Sequence, residues 1–135
     1  FGGHGAPAML RIARRLDDVQ LILIAGHNAR LVRRLAAMQA AAPRLVVGYA
    51  SDVTWYMELA DFFVGKPGPG SLSEAVQKGL PVIVVRNAWT MPQERYNADW
   101  VREQGLGLVL PDFGQVRPAV NDLLARLPRL RANVA

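Results

Sequence analysis

The sequence predicts an α/β fold built on a parallel sheet, and three observations favour it. Short apolar runs alternate along the chain with segments of helical periodicity. The apolar runs are nearly continuous, as expected of strands that are covered on both faces. Glycine-containing turns follow several of these runs, where a strand passes into the next helix. Together these features predict a doubly wound, Rossmann-like domain with ligands beyond the carboxyl ends of its strands.

The elements are predicted in order from apolar runs, helical spacing and breakers. Pro7 suits the first turn of the opening helix, because its missing N–H costs nothing there. Strands are expected over 21–25, 45–47, 62–64, 81–85 and 108–110. Helices are expected over 6–16, 29–41, 53–59, 71–78, 94–104 and 116–127. Pro43 and Gly79 end two of these helices, Asp52 caps the third, and residues 128–135 are expected to fray.

Composition limits the class of protein. The chain has 135 residues, of which 51% are hydrophobic and 20% charged, as in a globular domain. The net charge of +5 comes mainly from arginine, which favours partners with phosphate groups, although a coding bias explains it equally well. The absence of cysteine excludes disulfides and thiolate metal sites. No apolar run approaches the roughly 20 residues that a membrane span needs.

These limits give expectations for location and extent. We expect a cytoplasmic protein with peripheral contact at the inner face of an anionic plasma membrane. Trp89 or Trp100 would serve that contact, or would pack in or around the core. The chain begins at Phe1 rather than Met, in what reads as the end of a strand. We therefore expect residues 1–135 to form one domain cut from a longer protein.

The segment over 65–74, which reads GKPGPGSLSE, is the most informative part of the chain. It joins a predicted strand to a helix N-terminus, where free backbone N–H groups and the helix dipole favour phosphate. Gly68 and Gly70 would let the backbone approach a ligand closely. Ser71 and Glu74 fit a capping box, which needs no ligand. Glu74 also fits a ribose diol, since a carboxylate accepts from two hydroxyls.

Other predicted turns lie at the same edge of the sheet. Gly2, Gly3 and His4 form a second candidate phosphate turn, and Gly48 and Tyr49 follow another strand. The long loop over 86–97 carries Gln93 and Glu94, which suit sugar hydroxyls or simply start a helix. His4 and His27 could act as acid or base, but turn positions explain both. The spacing of these residues predicts no metal site, and no nucleophile motif with a catalytic triad is present.

Several segments in order resemble one known family over nearly the whole chain. The resemblance is to the C-terminal, donor-binding domain of glycosyltransferase family 28, which has the two-domain GT-B fold. The segments over 66–75 and 92–97 resemble its glycolipid synthases, such as monogalactosyldiacylglycerol synthase, more than its peptidoglycan GlcNAc transferase. The segments that carry the resemblance are Phe1–Gly3, Ala60–Val64, Lys66–Ala75, Gly79–Ile83 and Pro92–Asn97. The resemblance extends as far as Gly105–Gly107.

The resemblance implies a role for each candidate residue. The diphosphate of a UDP-sugar would be held at the two glycine turns, and the ribose by Glu74. Gln93 and Glu94 would contact the sugar, and Asn97 would lie near the phosphates. Backbone groups around Gly48 would meet the uracil. His4 departs from the small hydroxyl residues of some relatives. The implied donor-binding set is Gly2, Gly3, His4, Gly48, Tyr49, Gly68, Gly70, Ser71, Glu74, Gln93, Glu94 and Asn97.

The resemblance also implies a reaction, an inverting transfer of a hexose or N-acetylhexosamine to a hydroxyl, most naturally on a lipid. Helix N-termini would stabilise the departing UDP, so neither a metal nor a cofactor is expected. No catalytic residue is expected within this chain, because the base would belong to a preceding domain. This domain alone would therefore bind the donor without turnover.

Two other functions remain open at this stage, a UDP-sugar epimerase of the same fold and a non-catalytic nucleotide-binding module. A nucleic-acid binder fits less well, because the sequence offers no aromatic stacking platform.

Overall fold

A computed structural model of the chain describes residues 5–134. Within these residues helices alternate with strands, and every strand pairing is parallel. The Rossmann-like α/β class is therefore confirmed. The strands pair as one sheet of two strands and one of three. The chain packs as two compact units with a boundary between Val53 and Thr54.

The first unit holds two helices and a two-stranded parallel sheet. In chain order these are α1 (Ala6–Arg15), β1 (Leu21–Ile24), α2 (Ala29–Ala37) and β2 (Arg44–Val47). The register places Leu23 opposite Val46. The helices and β1 share one core cluster, formed by Met9, Leu10, Ala13, Leu23, Leu31 and Leu35. Both helices therefore turn their apolar sides toward the same core and their polar sides outward.

The helix predicted over 29–41 is wrong at its C-terminal end. α2 ends at Ala37, and Met38 already has an extended backbone with ψ 135°. The segment that follows returns to the turn after α1, where the N–H of Ala42 donates to the carbonyl oxygen of Asp17 at 3.0 Å. This hydrogen bond replaces the helical one that a continued α2 would provide.

The second unit holds a three-stranded parallel sheet and most of the helices. The three strands lie side by side in chain order, and Phe63 of the first lies opposite Val82 of the second, which lies opposite Gly107 of the third. After α3 (Val53–Met57), which begins at the boundary, the elements are β3 (Phe63–Val64), α4 (Pro69–Gln77), β4 (Val82–Val85), α5 (Pro92–Gln104), β5 (Gly107–Leu110), a 3₁₀ turn (Phe113–Gln115), α6 (Val116–Ala125) and α7 (Leu127–Val134).

The central strand β4 is the core of the second unit. Val82, Ile83 and Val84 are fully buried, as expected of a strand paired on both edges. Gly107 of β5 approaches this strand so closely that a Cβ atom would overlap the backbone of Val82. Gly105 ends α5 with φ +64°, in the left-handed conformation that glycine adopts readily.

The frayed tail predicted over 128–135 is wrong for the described residues, which form α7 up to Val134. Leu130 is buried at 4% exposure. The Asn133 side chain donates to the carbonyl oxygen of Gly105 at 3.0 Å. Arg131 pairs with Asp61 at 2.7 Å. Apolar burial and these two long-range contacts explain why the last residues are helical.

Candidate functional site

The glycine-rich turn of the second unit leads from β3 directly into α4. Gly68 is the N-cap of α4, with an extended backbone at φ −75° and ψ 153°, and Pro69 occupies the first turn. No side chain caps this N-terminus. The N–H groups of Gly70 and Ser71 lie in the first turn, where an α-helix supplies no partner for them. The space where Gly70 would carry a Cβ is open.

The capping box predicted for Ser71 and Glu74 is wrong. α4 begins two residues earlier than predicted, so Ser71 lies inside the first turn instead of at the N-cap. The physical reason is Pro69, whose fixed φ and missing N–H suit the first position of a helix. Glu74 is an exposed side chain one turn further along α4. Its carboxylate is therefore not engaged in capping.

The start of α5 lies against this turn. The Nδ2 atom of Asn97 donates to the carbonyl oxygen of Pro67 at 2.9 Å. A Cβ placed on Gly68 would lie 4.0 Å from Oε1 of Glu94. The structure thus brings Gly68, Glu94 and Asn97 together, although 30 residues separate Pro67 from Asn97. Gln93 is exposed in the first turn of α5.

α5 itself begins at Pro92, two residues before the predicted start at Glu94. Glu94 is the acidic residue of the first turn, and no side chain caps this helix N-terminus either. Both α4 and α5 thus begin without a side-chain cap, and Glu94 at the start of α5 lies close to Gly68 at the start of α4. Such helix starts favour anionic groups through their free N–H groups and dipoles.

The loop that precedes α5 is held by side-chain hydrogen bonds that are not predicted from the sequence. Asn87 accepts from the N–H of Trp89 at 2.9 Å and donates to the carbonyl oxygen of Pro111 at 2.8 Å. Arg95 donates to the carbonyl oxygens of Thr90 at 2.6 Å and Ala88 at 2.7 Å. The local signal was Asn87 followed by Thr90, a spacing typical of turns closed by side chains.

Two further contacts define the surroundings of this loop. Arg86, the residue after β4, pairs with Asp99 of α5 at 2.8 Å. Trp89 is 93% exposed at the tip of the loop, and Trp100 is 37% exposed. A core position is therefore wrong for Trp89. Membrane contact by either indole stays a prediction.

In the first unit, the residues after β1 and β2 meet through their rings. His27 and Tyr49 stack with ring centroids 4.2 Å apart and an angle of 15° between the planes. Gly48 lies close to the end of β1, since its Cβ would lie 3.7 Å from the carbonyl oxygen of Gly26. The next helix start is capped here, because Asn28 accepts from the N–H of Leu31 at 3.0 Å. No local sequence pattern predicts the stack of His27 on Tyr49.

Some predictions fall outside what the structure describes. Gly2, Gly3 and His4 precede residue 5, so the first phosphate turn stays a prediction. Between residues 5 and 134 no three side chains of the His, Cys, Asp and Glu types are grouped as a metal site would require. In the same range no helix has the length and apolar character to cross a bilayer.

Comparison with known proteins identifies relatives of this chain. Monogalactosyldiacylglycerol synthase of Spinacia oleracea is 31% identical over 131 residues, covering 89% of this chain and 25% of that protein. Monogalactosyldiacylglycerol synthase 1 of Arabidopsis thaliana is 31% identical over 117 residues, covering 78% of this chain and 22% of that protein. Processive diacylglycerol beta-glucosyltransferase of Bacillus subtilis is 31% identical over 124 residues, covering 87% and 32%.

The chain thus spans between about a fifth and a third of the length of these relatives. The model of the glycosyltransferase family 28 C-terminal domain matches residues 6–117, which include all the candidate residues that the structure describes. That match covers most of the chain and confirms the resemblance drawn from the glycine-rich turn and the start of α5. The chain belongs to glycosyltransferase family 28, as a C-terminal domain.

Proposed function

We propose that the chain binds the UDP-sugar donor of an inverting glycosyltransferase that acts on a lipid hydroxyl. The observation that carries this proposal is the approach of Glu94 and Asn97 to the uncapped start of α4. The names of the relatives, monogalactosyldiacylglycerol synthase and diacylglycerol beta-glucosyltransferase, support a hexose donor and a lipid acceptor.

The hydrogen-bonding chemistry of each protein group indicates which part of the UDP-sugar it would bind. Phosphate oxygens only accept hydrogen bonds, so the diphosphate needs the N–H groups of Gly70 and Ser71. Hydroxyls of the sugar donate, so they suit the carboxylate of Glu94 and the side chain of Gln93. Glu94 is acceptor-only when ionised, which makes it unsuited to phosphate. In this proposal Asn97 holds the turn and faces the phosphate region.

Glu74 is proposed to bind the ribose. It lies four residues after Gly70 on α4, which puts the two residues one turn apart on the same side of the helix. In this proposal, a carboxylate one helical turn from the bound phosphate accepts from both ribose hydroxyls. Its exposure leaves it free for this role. As the family resemblance implies, Gly48 and Tyr49 are proposed for the uracil, and Gly2, Gly3 and His4 for the diphosphate.

The proposed reaction is an in-line displacement. The acceptor hydroxyl attacks the anomeric carbon, the bond to UDP breaks, and the acceptor proton passes to a base. Free N–H groups at the start of α4 stabilise the charge that develops on the departing diphosphate. We propose that the base belongs to another domain, so this chain alone binds UDP without transferring sugar. We also propose a location in the cytoplasm, at the membrane surface where a lipid acceptor would lie.

Calorimetric titration with UDP, with ADP and GDP as controls, tests the proposal. We expect selective UDP binding that Glu74→Ala weakens, because the ribose loses its acceptor. Ser73→Ala is the matched control, since Ser73 is the exposed neighbour on the same helix. Equal affinity for the three nucleotides would contradict a UDP-selective site, and equal loss in both variants would contradict the ribose assignment. UDP-galactose, UDP-glucose and UDP-GlcNAc then identify the preferred sugar.

A further inference from the structure

The outward sides of α1 and α2 carry an unusual concentration of arginine. Both helices place three arginines at positions i, i+3 and i+4, which lie on one side of a helix. All six side chains are exposed, and neither helix contains an acidic residue. We name this surface the arginine face, and it consists of Arg11, Arg14, Arg15, Arg30, Arg33 and Arg34.

Ion pairs and hydrogen bonds among the described residues do not account for these six arginines. Several other arginines of the described residues serve the fold: Arg86, Arg126 and Arg131 pair with carboxylates. Arg44 donates to the carbonyl oxygens of Ala13 and Leu16. No residue of the arginine face has such a partner among residues 5–134. Their guanidinium groups are therefore available to a partner outside the chain.

Helix stability accounts for only some of them. Cations near a helix C-terminus are favourable, which suits Arg14, Arg15 and Arg34. Arg30 lies in the first turn of α2, where the helix dipole disfavours a positive charge. Arg33 adds a like charge three residues further on the same side. Contact of these charges with an anionic partner would offset their cost to the stability of α2.

We propose that the arginine face docks the protein on an anionic lipid bilayer. α1 and α2 share one core cluster, so their polar sides are exposed on the side of the unit away from that core. Guanidinium groups bind phosphate oxygens in a bidentate manner and suit a surface of phospholipid headgroups. Neighbouring basic residues add their attractions to an anionic membrane, which makes a cluster of six effective.

A bilayer fits this face better than a nucleic acid does. Neither helix contains an aromatic residue on which the bases of a single strand could stack. The choice also rests on the proposed function, since a lipid acceptor places the enzyme at a membrane surface. Docking through the arginine face would hold the donor domain near its acceptor.

Sedimentation with lipid vesicles tests this proposal on the 135-residue chain. The vesicles are pure phosphatidylcholine, or phosphatidylcholine mixed with an equal amount of phosphatidylglycerol. We expect binding to the anionic vesicles alone, with loss at high salt as screening shortens the range of the charges. The paired variant Arg14→Gln/Arg33→Gln removes one cation from each helix, and we expect it to lower vesicle affinity roughly 20- to 30-fold.

The matched control is Arg102→Gln/Arg129→Gln, which removes the same charge from exposed residues of α5 and α7. Equal losses in the two pairs would show that only net charge matters and would overturn the proposal. Binding to pure phosphatidylcholine with equal affinity would also overturn it. If the chain bound duplex DNA more tightly than anionic vesicles, and Arg14→Gln/Arg33→Gln lost that binding, the proposal would be overturned and the partner of the arginine face would be a nucleic acid.

UDP titration of the same variants separates this proposal from the proposed function. We expect Arg14→Gln/Arg33→Gln to retain UDP affinity, because neither residue belongs to the proposed donor site. UDP binding without vesicle binding in the unsubstituted chain would overturn the docking surface and leave the donor function standing. Vesicle binding without UDP binding would support the surface and count against the donor function.

Discussion

The side chain of Asn97 joins the start of α5 to the glycine-rich turn by donating to the carbonyl oxygen of Pro67 at 2.9 Å. Asn97 is half-buried and Pro67 is buried. This hydrogen bond fixes the position of the residue just before Gly68, and so the direction in which the first N–H groups of α4 point. The geometry of the proposed phosphate site therefore depends on a residue of another helix.

Asn97→Ala removes this donor and leaves the Pro67 carbonyl without its partner. We expect the free energy of unfolding to fall by about 1–2 kcal/mol. UDP affinity should fall as well, because the turn is no longer held in one position. Chemical denaturation and calorimetry measure the two effects. Asn121→Ala, at an exposed position of α6, is the control and should change neither quantity appreciably.

Gly70→Ala separates ligand binding from folding. The added methyl meets nothing within 4 Å, so the fold accommodates it, and alanine in a helix is favoured over glycine by up to about 1 kcal/mol. The same methyl would stand beside the N–H groups proposed to bind the diphosphate. We expect unchanged or raised stability together with UDP affinity lowered about tenfold or more, equivalent to roughly 1.4 kcal/mol. Unchanged UDP affinity would show that the phosphates do not bind beside Gly70.

Arg95→Ala should loosen the loop before α5 without unfolding the protein. Arg95 supplies the donors for the carbonyl oxygens of Thr90 and Ala88. We expect faster amide hydrogen exchange over 87–91 and a stability loss of about 1–3 kcal/mol. Arg102→Ala is the control on the same helix, since Arg102 is exposed and makes no comparable bond in the described structure. Equal exchange in the two variants would show that Arg95 does not hold the loop.

Leu130→Ala tests whether α7 belongs to the packed structure. Leu130 is 4% exposed, so its truncation creates a cavity and should cost about 2–5 kcal/mol. Leu124→Ala removes the same atoms from a side chain that is 45% exposed, and the loss should be clearly smaller. Thermal or chemical denaturation of the two variants gives the comparison. Equal small losses would mean that the last helix contributes little to stability.

The sequence predicts the alternation of elements well, and its errors at three helix starts, those of α4, α5 and α7, share one cause. Pro69, Pro92 and Pro128 fall outside the predicted helices, whereas each lies in the first turn of a helix. A proline breaks a helix only in its interior and favours the first turn. Pro7 was interpreted in that way, and the predicted start of α1 at Ala6 is confirmed.

The candidate site was predicted in part. Local pattern indicated the glycine-rich turn and the start of α5, and the family resemblance placed Asn97 near the phosphates. The contact between Asn97 and Pro67 spans 30 residues, which no local pattern specifies. The stack of His27 on Tyr49 likewise depends on the pairing of β1 with β2. Such contacts follow from tertiary packing and are invisible to periodicity.

The boundary between Val53 and Thr54 divides the aromatic residues unevenly. The chain's three tryptophans, Trp55, Trp89 and Trp100, all follow this boundary. Indole emission during denaturation therefore reports on the second unit, whereas far-ultraviolet circular dichroism reports on the helices of both. Coincidence of the two transitions is the criterion for all-or-none unfolding of the whole chain. Separate midpoints would give each unit a stability of its own.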